Sequence, residues 1–156
     1  MSAPAERVRE LVESVVDALG LDADVVVTED EDSLTATVEG DDLGLFIGRH
    51  GQTIEAVQHL AQRIALRDGP PAEDTPRRRI VVDAAGYRAR RREALERQAD
   101  DAADEALRYG RPVALDAMTA TERRIVHEYL RDRDDVDTNS EGEEPDRHLV
   151  VSPLDD

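Results

Sequence analysis

Residues 46–54 read FIGRHGQTI: Gly48 and Gly51 bracket Arg49 and His50, and an apolar pattern of helical spacing follows at once. Glycine has no Cβ, so positive φ costs little and another backbone can come close. Two glycines three positions apart therefore predict a tight, exposed turn that opens into a helix. The first N–H groups of that helix are unpaired and carry partial positive charge, and Arg49 and His50 add side-chain donors. Such a turn suits a sugar-phosphate backbone laid against it. A bare Gly-x-x-Gly also serves any ordinary connection between two helices, so its meaning depends on its surroundings.

Val8, Leu11, Val12, Val15, Val16 and Leu19 recur at helical spacing and predict an amphipathic helix over 4–19, stopped by Gly20. DVVVTE (24–29) and LTATVEG (34–40) are rich in β-branched residues and flank an acidic turn, which predicts a hairpin. DDLGLFI (41–47) predicts about two helical turns before the glycines. From Thr53 to Leu66 a second helix is expected, with Ile54, Val57, Ala61, Ile64 and Ala65 on one face. The proline-containing stretch 67–79 reads as a loop, and RIVVDAAG (79–86) as a strand ending in a turn. A long, charge-laced helix is expected over 87–108, stopped by Gly110 and Pro112. PVALD is a short strand candidate, and 119–132 reads as a helix with Thr119 at its cap. Two short strands around an acidic loop end the chain. The first unit is thus ordered helix, strand, strand, short helix, Gly-x-x-Gly, helix, strand.

Taken alone, the formal net charge of -17 argues against a polyanionic partner, because phosphate contacts dominate such affinities. The charge is unevenly placed. Residues 43–97 hold 11 basic and 7 acidic groups, whereas residues 1–42 hold 2 and 13 and residues 132–156 hold 2 and 10. A basic island lies between acidic ends, and the local field is what matters at a binding face. All 20 basic residues are arginines, a bias consistent with a GC-rich genome or with high-salt adaptation. Without cysteine there is no disulfide, thiol nucleophile or Cys-ligated zinc. The first residues lack a signal-peptide pattern, and no apolar run approaches the ~20 residues of a membrane span. A cytoplasmic protein without membrane insertion is expected.

Residues 4–84 resemble a KH domain in the type II, bacterial-style order αββααβ, whose Gly-x-x-Gly loop clamps about four nucleotides of single-stranded backbone. A second signature is Arg123 with His127. They stand four apart on one helix, so they share a face, and Ile125, Val126, Tyr129 and Leu130 are expected on the buried side. GRPVALDAMTATERRIVHEYLRD and TNSEGEEPDRHLVV resemble the R-3-H domain, named for its Arg-x-x-x-His motif and associated with single-stranded nucleic acids. Arginine can meet a phosphate through two hydrogen bonds; histidine can donate to a phosphate or stack on a base. In this order, the two units resemble the Jag family of bacterial RNA-binding proteins, also called SpoIIIJ-associated proteins or KhpB. LFIGRHGQTIEAVQHLA, RIVVDAAGYRARRREAL and SEGEEPDRHLVV carry the likeness through nearly the whole chain.

The resemblance implies an α+β architecture: a type II KH domain over 1–84, then a small α/β R-3-H-type domain over 85–156. It implies RNA contacts from Ile47, Gly48, Arg49, His50, Gly51, Gln52 and Thr53 and from Arg123 and His127, and pairing with a small KH-only protein or with itself. It also implies a post-transcriptional role or one in cell-envelope or cell-shape regulation. Single-stranded DNA is a variant ligand. Ile47 and Ile54 are expected in the floor of the groove. Arg77, Arg78, Arg79, Arg88, Arg90, Arg91 and Arg92 are candidates for diffuse positive potential. Phe46, Tyr87, Tyr109 and Tyr129 are expected mostly to pack, which limits base stacking.

Rival chemistries fare poorly. An NTPase phosphate loop needs GxxxxGK with Ser or Thr, and the chain has no lysine. His50, His59, His127 and His148 are scattered without metal spacing, and no Gly-x-Ser-x-Gly turn occurs. The EGEEPD run reads as a solvated loop. No enzyme, cofactor or metal is expected. The remaining alternative is an acidic protein-interaction or assembly module that binds no nucleic acid directly.

Overall fold

The computed structural model describes residues 1–69 and 77–154. Two compact units follow along the chain, Met1–Arg88 and Ala89–Asp156. Most of the expected 67–79 loop, including Pro70, Pro71 and Pro76, lies outside the described residues.

The first unit has the order αββααβ. Helix α1 (Ala3–Ala18) starts where the Ser2 hydroxyl accepts the Ala5 N–H, with a proline in the first turn. It buries Ala5, Val8, Val12 and Val16, one stripe at helical spacing. Strands β1 (Asp24–Glu29) and β2 (Ser33–Glu39) pair antiparallel. Asp30 shapes their turn by accepting the N–H groups of Asp32 and Ser33 at 2.8 and 2.7 Å. Leu34, Ala36 and Val38 alternate inward along β2, which pairs in parallel with β3 (Arg79–Ala84). Helix α2 (Gly44–Ile47) is one turn, shorter than expected, because residues 41–43 stay outside it; Gly48 ends it at positive φ. A 3-10 turn at Arg49–Gly51 leads into α3 (Gln52–Ala65). Helix α1 packs on α3, and α3 on β3. Ile54, Val57, Ala61 and Ala65 are buried as the spacing predicts; Ile64 is half-buried at the margin.

Arginines also hold this unit together. Arg7 of α1 donates to the carbonyls of Ile64 and Ala65 at 3.0 and 3.1 Å, capping the end of α3. Arg88 donates to the Val82 carbonyl at 2.7 Å, to Glu55 at 3.0 Å and to Gln58 at 2.8 Å, tying β3 to α3.

In the second unit, α4 (Tyr87–Tyr109, shared with the first) buries Leu95, Ala99, Ala102, Ala103 and Ala106. Its alanines present a low surface to the core. Helix α5 (Ala120–Leu130) opens with a capping box: the Thr119 hydroxyl accepts the Glu122 N–H while Glu122 accepts the Thr119 N–H. Strands β4 (Val113–Ala114), β5 (Val136–Glu141) and β6 (His148–Pro153) form an antiparallel sheet in the order β4-β6-β5. Leu149 and Val151 of the central strand join Val126, Leu130, Met118 and Leu95 in the core.

Two expectations about side chains fail. Tyr129 is not on the buried side of α5: it is 40% exposed, with its hydroxyl donating to Asp100 at 2.8 Å. Tyr109 is likewise out in solvent, at 58% exposed, past the last buried residue of α4, Ala106.

Candidate nucleic-acid interface

The Gly48–Gly51 turn owes its shape to a run of unusual dihedrals. Gly48 lies at φ 75° and ψ 175°, a region essentially reserved for glycine. A Cβ there would fall 2.8 Å from the backbone nitrogen of Thr53. His50 (φ 56°) and Gly51 (φ 74°) are both left-handed. Gly51 is buried against Tyr87, whose hydroxyl would stand 2.8 Å from a Cβ. The Gly51 N–H closes the turn on the Gly48 carbonyl at 3.2 Å. These constraints push Arg49 and His50 outward, and both are exposed. Helix α3 begins at Gln52, and Gly51 before it supplies no side-chain cap. Gln52 is exposed, and Thr53 is half-buried against Gly48.

Ile47 is half-buried at the edge of the core and borders the turn. Ile54 is fully buried and cannot face a groove. Its place as a floor residue is corrected: on α3 it lies inside the core of the unit, with Phe46 equally enclosed. The expected reservoir of free positive potential also shrinks. Arg78 pairs with Glu29 at 2.9 Å, Arg88 with Glu55, and Arg91 with Glu122 at 2.7 Å. An acidic chain recruits its own arginines.

In the second unit, Arg123 and His127 do share a face of α5, and that face meets the β5–β6 hairpin. Arg123 is only 8% exposed. One terminal nitrogen donates to the Met118 carbonyl at 2.8 Å, the other to Glu144 at 2.8 Å in the acidic loop. A carboxylate thus already occupies an anion position on this guanidinium, and Glu144 itself is 60% exposed. His127 is exposed, its Nδ1 hydrogen-bonded to the Thr138 hydroxyl. That contact leaves Nε2 as the other polar atom of the ring. Thr53, expected as an RNA contact, packs against Gly48, while Tyr87, Thr138 and Glu144 act on the signature residues and could not be picked out for that from local sequence. No group of three His, Cys, Asp or Glu with metal-binding placement occurs among the described residues, and no helix among them is long and apolar enough to cross a membrane.

Comparison with known proteins matches both units. The family model of the KhpA/KhpB KH domain matches residues 5–73, and that of the R-3-H domain matches residues 93–153. RNA-binding protein KhpB of Bacillus subtilis (strain 168) is 31% identical over 151 residues, covering 96% of this chain and 70% of that protein. RNA-binding protein KhpB of Clostridium symbiosum is 36% identical over 145 residues, covering 92% of this chain and 63% of that protein. That of Lactiplantibacillus plantarum is 37% identical over 139 residues, covering 89% and 42%. The chain therefore spans between about two-fifths and seven-tenths of these relatives. With a KhpA/KhpB-type KH domain followed by an R-3-H domain, and with a KhpB relative 31% identical across 96% of this sequence, the chain belongs to the KhpB family.

Proposed function

We propose that this protein binds single-stranded RNA, with the backbone of the strand held against the Gly48–Gly51 turn. The observation that carries the reading is the conformation of that turn: three positive-φ sites within four residues, at Gly48, His50 and Gly51, display the Arg49 and His50 side chains at the uncapped start of α3. Ile47, Gln52 and Thr53 border it. The curated relatives are named RNA-binding proteins, which supports the same ligand here.

The second contact is at α5. His127 meets a phosphate or base through Nε2. Arg123 meets a phosphate at the position now taken by the Glu144 carboxylate, which must yield to it. Binding is modest, weakly sequence-selective and salt-sensitive, because it rests mainly on ionic contacts to the backbone. Pairing with a small KH-only protein, or with a second copy, and a regulatory role in the cell envelope or cell shape belong to the same reading.

Fluorescence anisotropy of labelled single-stranded RNA, its duplex and the matching single-stranded DNA, titrated at low salt, tests it. Saturable binding of the single strands with little duplex binding is expected. No binding by the folded protein, alone or with a KH-only partner, would refute it.

A further inference from the structure

The stretch Arg108-Tyr109-Gly110-Arg111 closes α4. Gly110, at φ 63°, ends the helix and turns the chain back. The Arg111 N–H then reaches the Ala106 carbonyl at 3.3 Å. The turn brings two guanidinium groups onto one aromatic ring: the guanidinium carbons of Arg108 and Arg111 lie 5.5 and 5.4 Å from the Tyr109 ring centroid. Both arginines are exposed, and Tyr109 is 58% exposed. In this acidic chain Arg7, Arg78, Arg88, Arg91, Arg123, Arg124 and Arg133 all pair with carboxylates. Among the described residues neither Arg108 nor Arg111 has a carboxylate partner.

We propose that Tyr109, Arg108 and Arg111 form a third contact for single-stranded nucleic acid, separate from the Gly-x-x-Gly turn and from the Arg123–His127 pair. The ring, with the planar guanidinium groups lying on it, offers a stacking surface for a base, and the two charges offer donors to the flanking phosphates. The proposal rests on the RNA-binding reading above and adds a site to it.

Cations in the last turn of a helix also interact favourably with its carbonyl end, which accounts for Arg108. That effect does not reach Arg111, which lies past the helix, and it does not require an exposed ring between the two. Tyr129 provides the contrast. It is also exposed, but its hydroxyl donates to Asp100, and Asp100 and Glu96 hold its pKa above the ordinary 10. A phosphate would meet repulsion there and attraction at Tyr109.

Three variants test the site by anisotropy with fluorescein-labelled oligouridylate: Tyr109→Ser, Tyr109→Phe, and Arg108→Gln combined with Arg111→Gln. Because all three side chains are exposed, each variant should keep the wild-type melting temperature. Tyr109→Ser and the double glutamine variant are expected to weaken binding about five-fold or more, as loss of one stacked base does. Tyr109→Phe should bind like wild type. The double glutamine variant should also lower the slope of log affinity against log salt by about 0.7 per lost phosphate contact. Ultraviolet crosslinking of the wild-type complex should place an adduct on Tyr109. Wild-type affinity and slope in Tyr109→Ser and the double variant, or no adduct at Tyr109, would overturn the site while leaving RNA binding intact. Displacement of the RNA by polyglutamate at matched charge would overturn the choice of nucleic acid as its ligand. Failure of wild type to bind the oligonucleotide at all would instead sink the underlying RNA-binding reading, and the site with it.

Discussion

An alanine at Gly48 would put its methyl carbon 2.8 Å from the Thr53 backbone nitrogen, at dihedrals that side chains avoid. The dihedral strain alone costs about 1–3 kcal/mol, and the clash with backbone adds to it. At Gly51 the backbone is ordinary left-handed, about 1–2 kcal/mol for alanine, and the obstructing atom is the tip of the Tyr87 side chain. Gly48→Ala should therefore destabilise more than Gly51→Ala in urea unfolding; the reverse order would mean that the turn is held differently. His50 is the informative third site. Because it is already left-handed, His50→Gly should keep stability within about 1 kcal/mol of wild type while weakening RNA binding. The two glycines and the cationic pair were legible in the sequence because their chemistry is local. Thr53 was named as a contact, but its packing under Gly48, like that of Tyr87 on Gly51, was not legible, because only the fold brings them there. Ile54 was misplaced for the same reason: spacing marks an apolar face but not whether a ligand can reach it.

Among the elements, α5 shows what local sequence can and cannot say. The Thr119–Glu122 capping box is written in four consecutive residues, and its helix starts where the cap predicts. Thr119→Ala should cost about 1 kcal/mol in denaturant midpoint analysis. The Arg-x-x-x-His spacing correctly put both side chains on one face. It could not show that Arg123 would be buried and bonded to Met118 and Glu144. Those bonds give Arg123 a structural role beside any role in binding. Arg123→Gln should destabilise the unit by about 1–3 kcal/mol, since a buried hydrogen-bond network loses its charged member. Lysine, with one point charge in place of a planar fork, should not restore it. Unfolding midpoints equal to wild type in both variants would remove the structural role. Helix α2 came out at one turn instead of two because it starts at Gly44 and not at Asp41, while Gly48 stops it where expected. The strands were legible from their β-branched runs; their order β4-β6-β5 was not, since pairing is set by the tertiary fold.

For the whole molecule, charge decides the response to solvent. A net charge of -17 opposes compaction, whereas binding depends on ionic contacts. Added salt should therefore raise the melting temperature and weaken RNA binding in the same concentration range. Both moving together would mean that one of these electrostatic statements is wrong. Acid should act through specific carboxylates. Hydrogen bonds from Ser2, with Arg78 beside it, hold Glu29 below its ordinary 4.5; the N–H groups of Asp32 and Ser33 lower Asp30; Arg133 lowers Asp135. A depressed folded-state pKa stabilises fully above the unfolded value and is lost as pH falls through the folded one. These three groups predict a melting temperature steady from neutral pH to about 5, then falling below about 4.5.

The most direct measurement is the affinity of the folded Arg49→Asp/His50→Asp protein for single-stranded RNA at low salt, beside wild type. With the Arg49 cation and the His50 ring replaced by two anions on the exposed turn, binding should fall by at least about ten-fold, with the melting temperature little changed. Undiminished affinity in the folded variant would contradict the assignment of the turn as the grip on the strand.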